Sequence, residues 1–159
     1  MKIIEDKKLA FDDVLIVPKR SPSISRSMVN VEREFVDKKN HRSFGVHTPI
    51  IAANMDNCGT MEMAKALSKH NCMTALHKHY SVDELVDFFK RTDDIEHSKT
   101  VYNTFYSLGI ADNDISKLKE VIKRIGVRCI RNVCVDVANG YSNYFCDRVK
   151  MIREIVPNA

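Results

Sequence analysis

Four times between Pro49 and Ala159 a short apolar run gives way to a segment with helical apolar spacing. Each repeat takes roughly 25–35 residues, the length of a βα unit. No other pattern in the chain restricts its fold as much. Strands joined by helices on the outside run parallel, so the alternation predicts an α/β fold with a parallel sheet. The sharpest instance is Val133–Ser142, Val-Cys-Val-Asp-Val-Ala-Asn-Gly-Tyr-Ser. Val133, Val135 and Val137 are β-branched and alternate with Cys134, Asp136 and Ala138, as a strand requires. Asp136 puts a carboxylate into this run. A strand covered on both faces cannot hold a bare charge, so Asp136 is paired with a cation or stands where the strand leaves the core. Asn139-Gly140 breaks the strand, and Ser142 can cap a new helix. An acid at the C-terminal end of a strand, just before a βα loop, is where parallel α/β folds place their chemistry.

The other units follow the same plan. Pro49–Met55 is an apolar run that ends at polar Asn54 and Asp56. Gly59-Thr60 then opens a helix with Met63, Ala66, Leu67 and His70 on one face. Cys72–Leu76 is the second strand and ends in His77, Lys78 and His79. Ser81 and Glu84 form a capping box, and Leu85, Phe88 and Phe89 give that helix its apolar face. A third strand is read over Thr100–Leu108, with Val101, Phe105 and Tyr106. Asn113 or Asp114 caps the third helix. Its Ile115, Leu118, Val121, Ile122 and Ile125 keep the helical period up to Gly126. Cys129–Ala138 is the fourth strand, and Phe145, Val149, Ile152 and Ile155 line the fourth helix, which Pro157 stops.

Two architectures satisfy this order: an open four-stranded sheet, or half of an eight-stranded barrel. Gly59 and Gly140 stand alone, without a dinucleotide-binding glycine fingerprint, which argues against a Rossmann domain. Residues 1–48 read as an extension and hairpin that precede the four βα units of residues 49–159, the whole forming one partial domain. Phe11–Pro18 is a short apolar run whose proline limits any strand to an edge or an end. Lys19–Ser27 is polar and basic: a solvated loop, or one that turns Arg20 or Arg26 toward a phosphate. Val31–Phe35 is a short strand of a peripheral hairpin, and Asp37–Ser43 a charged turn.

At 159 residues the chain fits one domain. It has no apolar run of ~18 residues, and Met1–Asp6 lacks a signal-peptide core, so no membrane association is expected. Five cysteines without a CxxC pair read as reduced thiols of a cytoplasmic protein. The net charge of +4 comes from bases interleaved with acids, and no basic stripe carries aromatics, so nucleic acid is not an expected partner. His77 and His79 are loop residues or a metal pair, but no third ligand stands near them in sequence. Asn54 and Asp56 are turn formers or pocket residues. Lys78 and Asp136, on neighbouring strand ends and partly desolvated, would form a polar catalytic floor.

Leu9–Ser21, LAFDDVLIVPKRS, resembles the N-terminal signature shared by IMP dehydrogenases and GMP reductases. Pro49–Thr60 (PIIAANMDNCGT), Thr74–Ser81 (TALHKHYS) and Val135–Ser142 (VDVANGYS) are similar to the GMP reductases of that family. The resemblance covers nearly the whole chain and is weakest over Phe89–Arg128. It implies a (β/α)8 TIM barrel, of which these residues would be the N-terminal half. It also implies NADPH-dependent conversion of GMP to IMP, with loss of ammonia through a cysteine bonded to purine C2. Position by position, Ser25 and Arg26 would meet the adenosine and phosphate part of NADPH. Lys78 and Asp136 would be catalytic and would lie at the cofactor with Val137 and Ala138. Asn54, Met55 and Asp56 would floor the purine pocket. The family's nucleophile sits in a Gly-x-x-Cys-Thr-Thr-Arg type loop that is not in this sequence. Cys58, Cys72, Cys129, Cys134 and Cys146 stand in other contexts, Cys129 and Cys134 in a strand and Cys146 in a helix. The chain is therefore expected to need a complementary C-terminal half or a second copy of itself. The alternatives are a non-catalytic, nucleotide-binding or oligomer-modulating relative, or an IMP dehydrogenase-like fragment.

Overall fold

Four parallel strands in consecutive order form the main sheet of the computed structural model: β3 (Ile51–Ala52), β4 (Met73–Ala75), β5 (Thr104–Leu108) and β6 (Asn132–Val135). Residues 5–22, 25–37 and 42–159 are described, in two units, Met1–Asn30 and Val31–Ala159. In the second unit a hairpin of β1 (Arg33–Asp37) and β2 (Arg42–His47) precedes the sheet, paired antiparallel as Arg33 with His47 and Glu34 with Val46. Between the strands run α1 (Met61–Ser68), α2 (Val82–Phe89), α3 (Ile95–Tyr102) and α4 (Asp112–Ile125), and α5 (Asn143–Ile155) follows β6.

One continuous apolar cluster joins these helices to one face of the sheet. Ala64, Leu85, Phe88, Phe89, Ile115, Leu118, Val121 and Ile152 meet Leu76, Tyr106 and Leu108 there. Helices on one face and strands in consecutive order decide between the two architectures. A doubly wound sheet reverses its order and takes helices on both faces, whereas a barrel keeps both in sequence. The fold is α/β with a parallel sheet of barrel type.

Local chemistry explains where the helices begin. Ser81 Oγ accepts from the Glu84 amide at 3.3 Å, and Glu84 Oε2 accepts from the Ser81 amide at 2.7 Å, closing the expected box at the start of α2. The Ser81 hydroxyl, which donates to Glu84 Oε2 at 2.7 Å, and then the Ser81 amide hold the Glu84 carboxyl below its ordinary range. Replacing Ser81 with alanine is expected to cost about 1 kcal/mol, read as a lowered urea midpoint. A group with a depressed value stabilises the fold above its unfolded range. Glu84's contribution is therefore complete near neutrality and is lost as pH falls through that depressed value. Ser142 Oγ likewise accepts from the Phe145 amide at 3.1 Å to open α5. In α4, Asp112 and Asp114 stand in the first turn and Lys123 and Arg124 in the last, matching the helix dipole. Gly126 closes α4 at φ +87°, a conformation that favours glycine.

The structure corrects several boundaries. Thr100–Tyr102 is the end of helix α3, and the third strand starts at Thr104. Asp94 Oδ1 caps α3 from the Glu96 and His97 amides. Ala111 precedes α4 without a side-chain cap, so neither Asn113 nor Asp114 caps it; both lie inside the first turn. The buried face of α1 is Ala64 and Ser68, while Ala66 and His70 are exposed. Small residues let α3 approach there, and Ser68 Oγ meets Thr100 Oγ1 at 2.9 Å. The first and fourth strands are shorter than their apolar runs, and Cys129 lies in a 3-10 turn before β6 rather than in a strand. In the N-terminal unit Phe11–Asp13 is a 3-10 turn, and Val14–Pro18 pairs with no strand among the described residues. The turn expected over Asp37–Ser43 falls largely on residues 38–41, which, like Ser23, lie outside the described residues; Asp37, Arg42 and Ser43 belong to the two strands.

Candidate functional site

The C-terminal ends of β3, β4 and β6 bring the polar strand-end residues to one rim. The Asp136 amide donates to Leu108 O at 2.9 Å, so the β5–β6 ladder extends one step past Val135. The register sets Cys134 beside Ser107. Period-two alternation then puts Asp136 on the same face as both, away from the helices. On the other side the Leu76 amide donates to Phe105 O at 3.1 Å, and the His77 amide turns to Gly59 O at 2.8 Å. Lys78 follows in a tight turn.

From these positions Lys78 Nζ reaches Asp136 Oδ2 at 3.8 Å. The two strands are not neighbours; β5 lies between them, and the pair closes over its end. The side chains keep 41% and 45% of their exposure, so the pair is open to an incoming ligand. Asp56 and His79 form a second contact on the rim, Oδ1 to Nε2 at 3.5 Å. Met55 O accepts from the Cys58 and Gly59 amides at 2.9 and 2.7 Å, which fixes the loop of Asn54–Asp56. Met55 is 65% exposed. Val137 is half-buried and Ala138 exposed beside Asp136. Ser25 and Arg26 belong to the N-terminal unit, where Ser25 Oγ accepts from the Ser27 amide at 3.3 Å to cap a 3-10 turn at Arg26–Met28.

Two residues outside the sequence reading shape this rim. Lys117, on α4, donates to Lys78 O at 3.1 Å and to Tyr80 O, and so clamps the turn that carries Lys78. Burial lowers the pKa of its ammonium, against the opposing pull of Asp114 and Glu84. Tyr80 stacks on His77 with centroids 4.0 Å apart, and its hydroxyl accepts from the Met61 amide at 3.0 Å. Lys117 gave no sequence signal, because it reads as one more charge on the solvent side of an amphipathic helix. Among the described residues no group of His, Cys, Asp and Glu could hold a metal ion. All five cysteines are free. Burial pushes the Cys134 thiol up, the Ser107 hydroxyl opposes this, and Asp136 adds to it, so Cys134 is a poor thiolate nucleophile.

A parallel sheet with its strands in consecutive order and its helices on one face is that of the α/β barrels. Residues 8–159 match the IMP dehydrogenase / GMP reductase domain, and the chain belongs to that family. It is 43% identical over 158 residues to a GMP reductase of Vibrio vulnificus, covering 99% of this chain and 43% of that protein. It is 46% identical over 158 residues to a GMP reductase of Tolumonas auensis, with the same coverage. The crystal structure of inosine 5′-monophosphate dehydrogenase from Legionella pneumophila superposes with a TM-score of 0.68 at 26% identity, over 92% of this chain and 40% of that one. The chain thus spans less than half the length of the relatives it matches. No helix among the described residues is long and apolar enough to cross a membrane.

Proposed function

We propose that this chain forms one wall of the active site of an NADPH-dependent GMP reductase, which converts GMP to IMP with loss of ammonia. The supporting observation is the 3.8 Å approach of Lys78 Nζ to Asp136 Oδ2 over the end of β5. Expelling ammonia from a purine needs a proton delivered to nitrogen. A lysine and a carboxylate held together can supply and orient that proton. NADPH, when bound, supplies the hydride. Lys78 presents a half-exposed cation suited to a phosphate-bearing ligand. In this reading Ser25 and Arg26 hold the adenosine and phosphate end, while Val137 and Ala138 border the reacting end beside Lys78 and Asp136. Asn54, Met55 and Asp56 floor the purine, with Asp56 steadied by His79.

Residues 1–159 act in this reading as one partial barrel domain, cytoplasmic and oligomeric. Ile51 on the outer strand β3 is 51% exposed, and β6 is half-buried along its whole length. Both edges fit continuation by further strands, from a complementary C-terminal half or from a second copy. The test is NADPH oxidation on addition of GMP, measured for the chain alone and after co-expression with the C-terminal part of a related GMP reductase. GMP-dependent oxidation in the assembled sample is expected. An assembly that binds GMP without turnover would overturn the catalytic reading in favour of a nucleotide-binding relative.

A further inference from the structure

The opposite end of the sheet holds a second cluster of charge. Arg91 follows α2, Arg128 follows α4, and Arg131 precedes β6. All three therefore lie at the N-terminal ends of the strands, away from Lys78 and Asp136. Together with Tyr102 they line two adjoining cavities, of about 320 and about 540 Å³. No carboxylate lines either cavity, and none of the three arginines makes an ion pair among the described residues. The smaller cavity adds Asn132 and Ser43, and the larger adds Phe89, Ile95 and Val101.

The setting is pre-built. Arg131 lies over the Tyr102 ring at 5.0 Å, and that ring stacks on buried His47 at 5.6 Å. Asn132 Nδ2 donates to Tyr102 O at 2.8 Å and so ties β6 to the start of β5. A helix C-terminus favours a nearby cation, which accounts for Arg91 and Arg128 singly. It does not account for three guanidiniums lining one cavity that has no carboxylate among the described residues. Guanidinium forks match phosphate oxygens two at a time, and an apolar shelf beside them suits a flat ring. Ile95 on that shelf is 84% exposed.

We propose that this cluster is a binding site for a nucleoside di- or triphosphate. Its phosphates lie on Arg91, Arg128 and Arg131, and its nucleoside lies against Ile95 and Val101. The site is separate from the strand-end rim and does not depend on the reductase reading.

Isothermal titration of the chain with ATP, GTP and tripolyphosphate tests it. ATP and GTP are expected to bind, and Arg91→Gln with Arg128→Gln together to weaken them at least tenfold. Both arginines are exposed, so the double variant keeps its circular dichroism spectrum. Lys78→Ala is expected to leave ATP binding unchanged. Tripolyphosphate is expected to bind at least tenfold more weakly than ATP; equal affinity would remove the nucleoside from the site. The proposal falls if ATP and GTP do not bind at millimolar concentration, if the double variant binds as tightly as the parent, or if binding is lost in Lys78→Ala.

Discussion

Replacing Lys78 with alanine in the assembled enzyme is expected to lower kcat by roughly 10²- to 10⁴-fold, the range that positioned acid–base groups contribute. That loss corresponds to about 3–5 kcal/mol in the barrier. The KM for GMP is expected to move far less, because in the proposed reaction the ammonium serves the departing nitrogen rather than the bound nucleotide. Asp136→Ala is expected to behave alike. The double variant should be little worse than the poorer single one, since the two groups work as a unit. Folding gives an independent control. A half-exposed ion pair of this kind contributes about 0–1 kcal/mol to stability, so both variants should keep the parent's urea midpoint within that margin. Steady-state kinetics over a range of GMP concentrations decides the matter. If KM rises while kcat is unchanged, the pair binds substrate and does not deliver a proton.

Much of this rim was legible because its signals are local. The Ser81–Glu84 box, the periodic isoleucines of α4 and the break at Asn139-Gly140 each act within a few residues, and the structure keeps all three. Asp136 was legible as misplaced, because a carboxylate in a β-branched run demands a partner. Which strand supplies that partner is a long-range matter, and the pair proved to span β5 rather than join neighbours. Helix α3 escaped for the opposite reason. It buries only Thr100, so it has no apolar stripe to read; the cap at Asp94 was its one signal. The face of α1 was misjudged because Ala64 and Ser68 are buried by close packing against α3, which hydrophobicity does not report. Lys117 and the arginine cluster depend on turns and helix ends that meet only after folding.

Gly59→Ala is expected to be among the most destabilising single changes in the chain, although it adds one methyl group. A Cβ at this position would stand 2.4 Å from Ala75 O, 2.9 Å from Ala53 O and 2.9 Å from the His77 amide nitrogen. All three are backbone atoms, in β4, in the loop after β3 and in the turn after β4, so no side chain can swing away. The backbone itself must move, and overpacking of this kind costs roughly 1–3 kcal/mol, sometimes more. The same displacement breaks the bond from His77 N to Gly59 O and shifts the turn that aims Lys78. In the assembled enzyme, kcat should therefore fall along with stability. Gly140 supplies the control. It belongs to the loop after Asp136, yet a Cβ there meets Phe145 at 3.6 Å, an ordinary contact. Gly140→Ala should stay within about 0.5 kcal/mol of the parent. Urea unfolding of the two variants side by side is the measurement. Equal midpoints for Gly59→Ala and the parent would mean that the close approach of the β3 loop to β4 is not what sets the height of the rim.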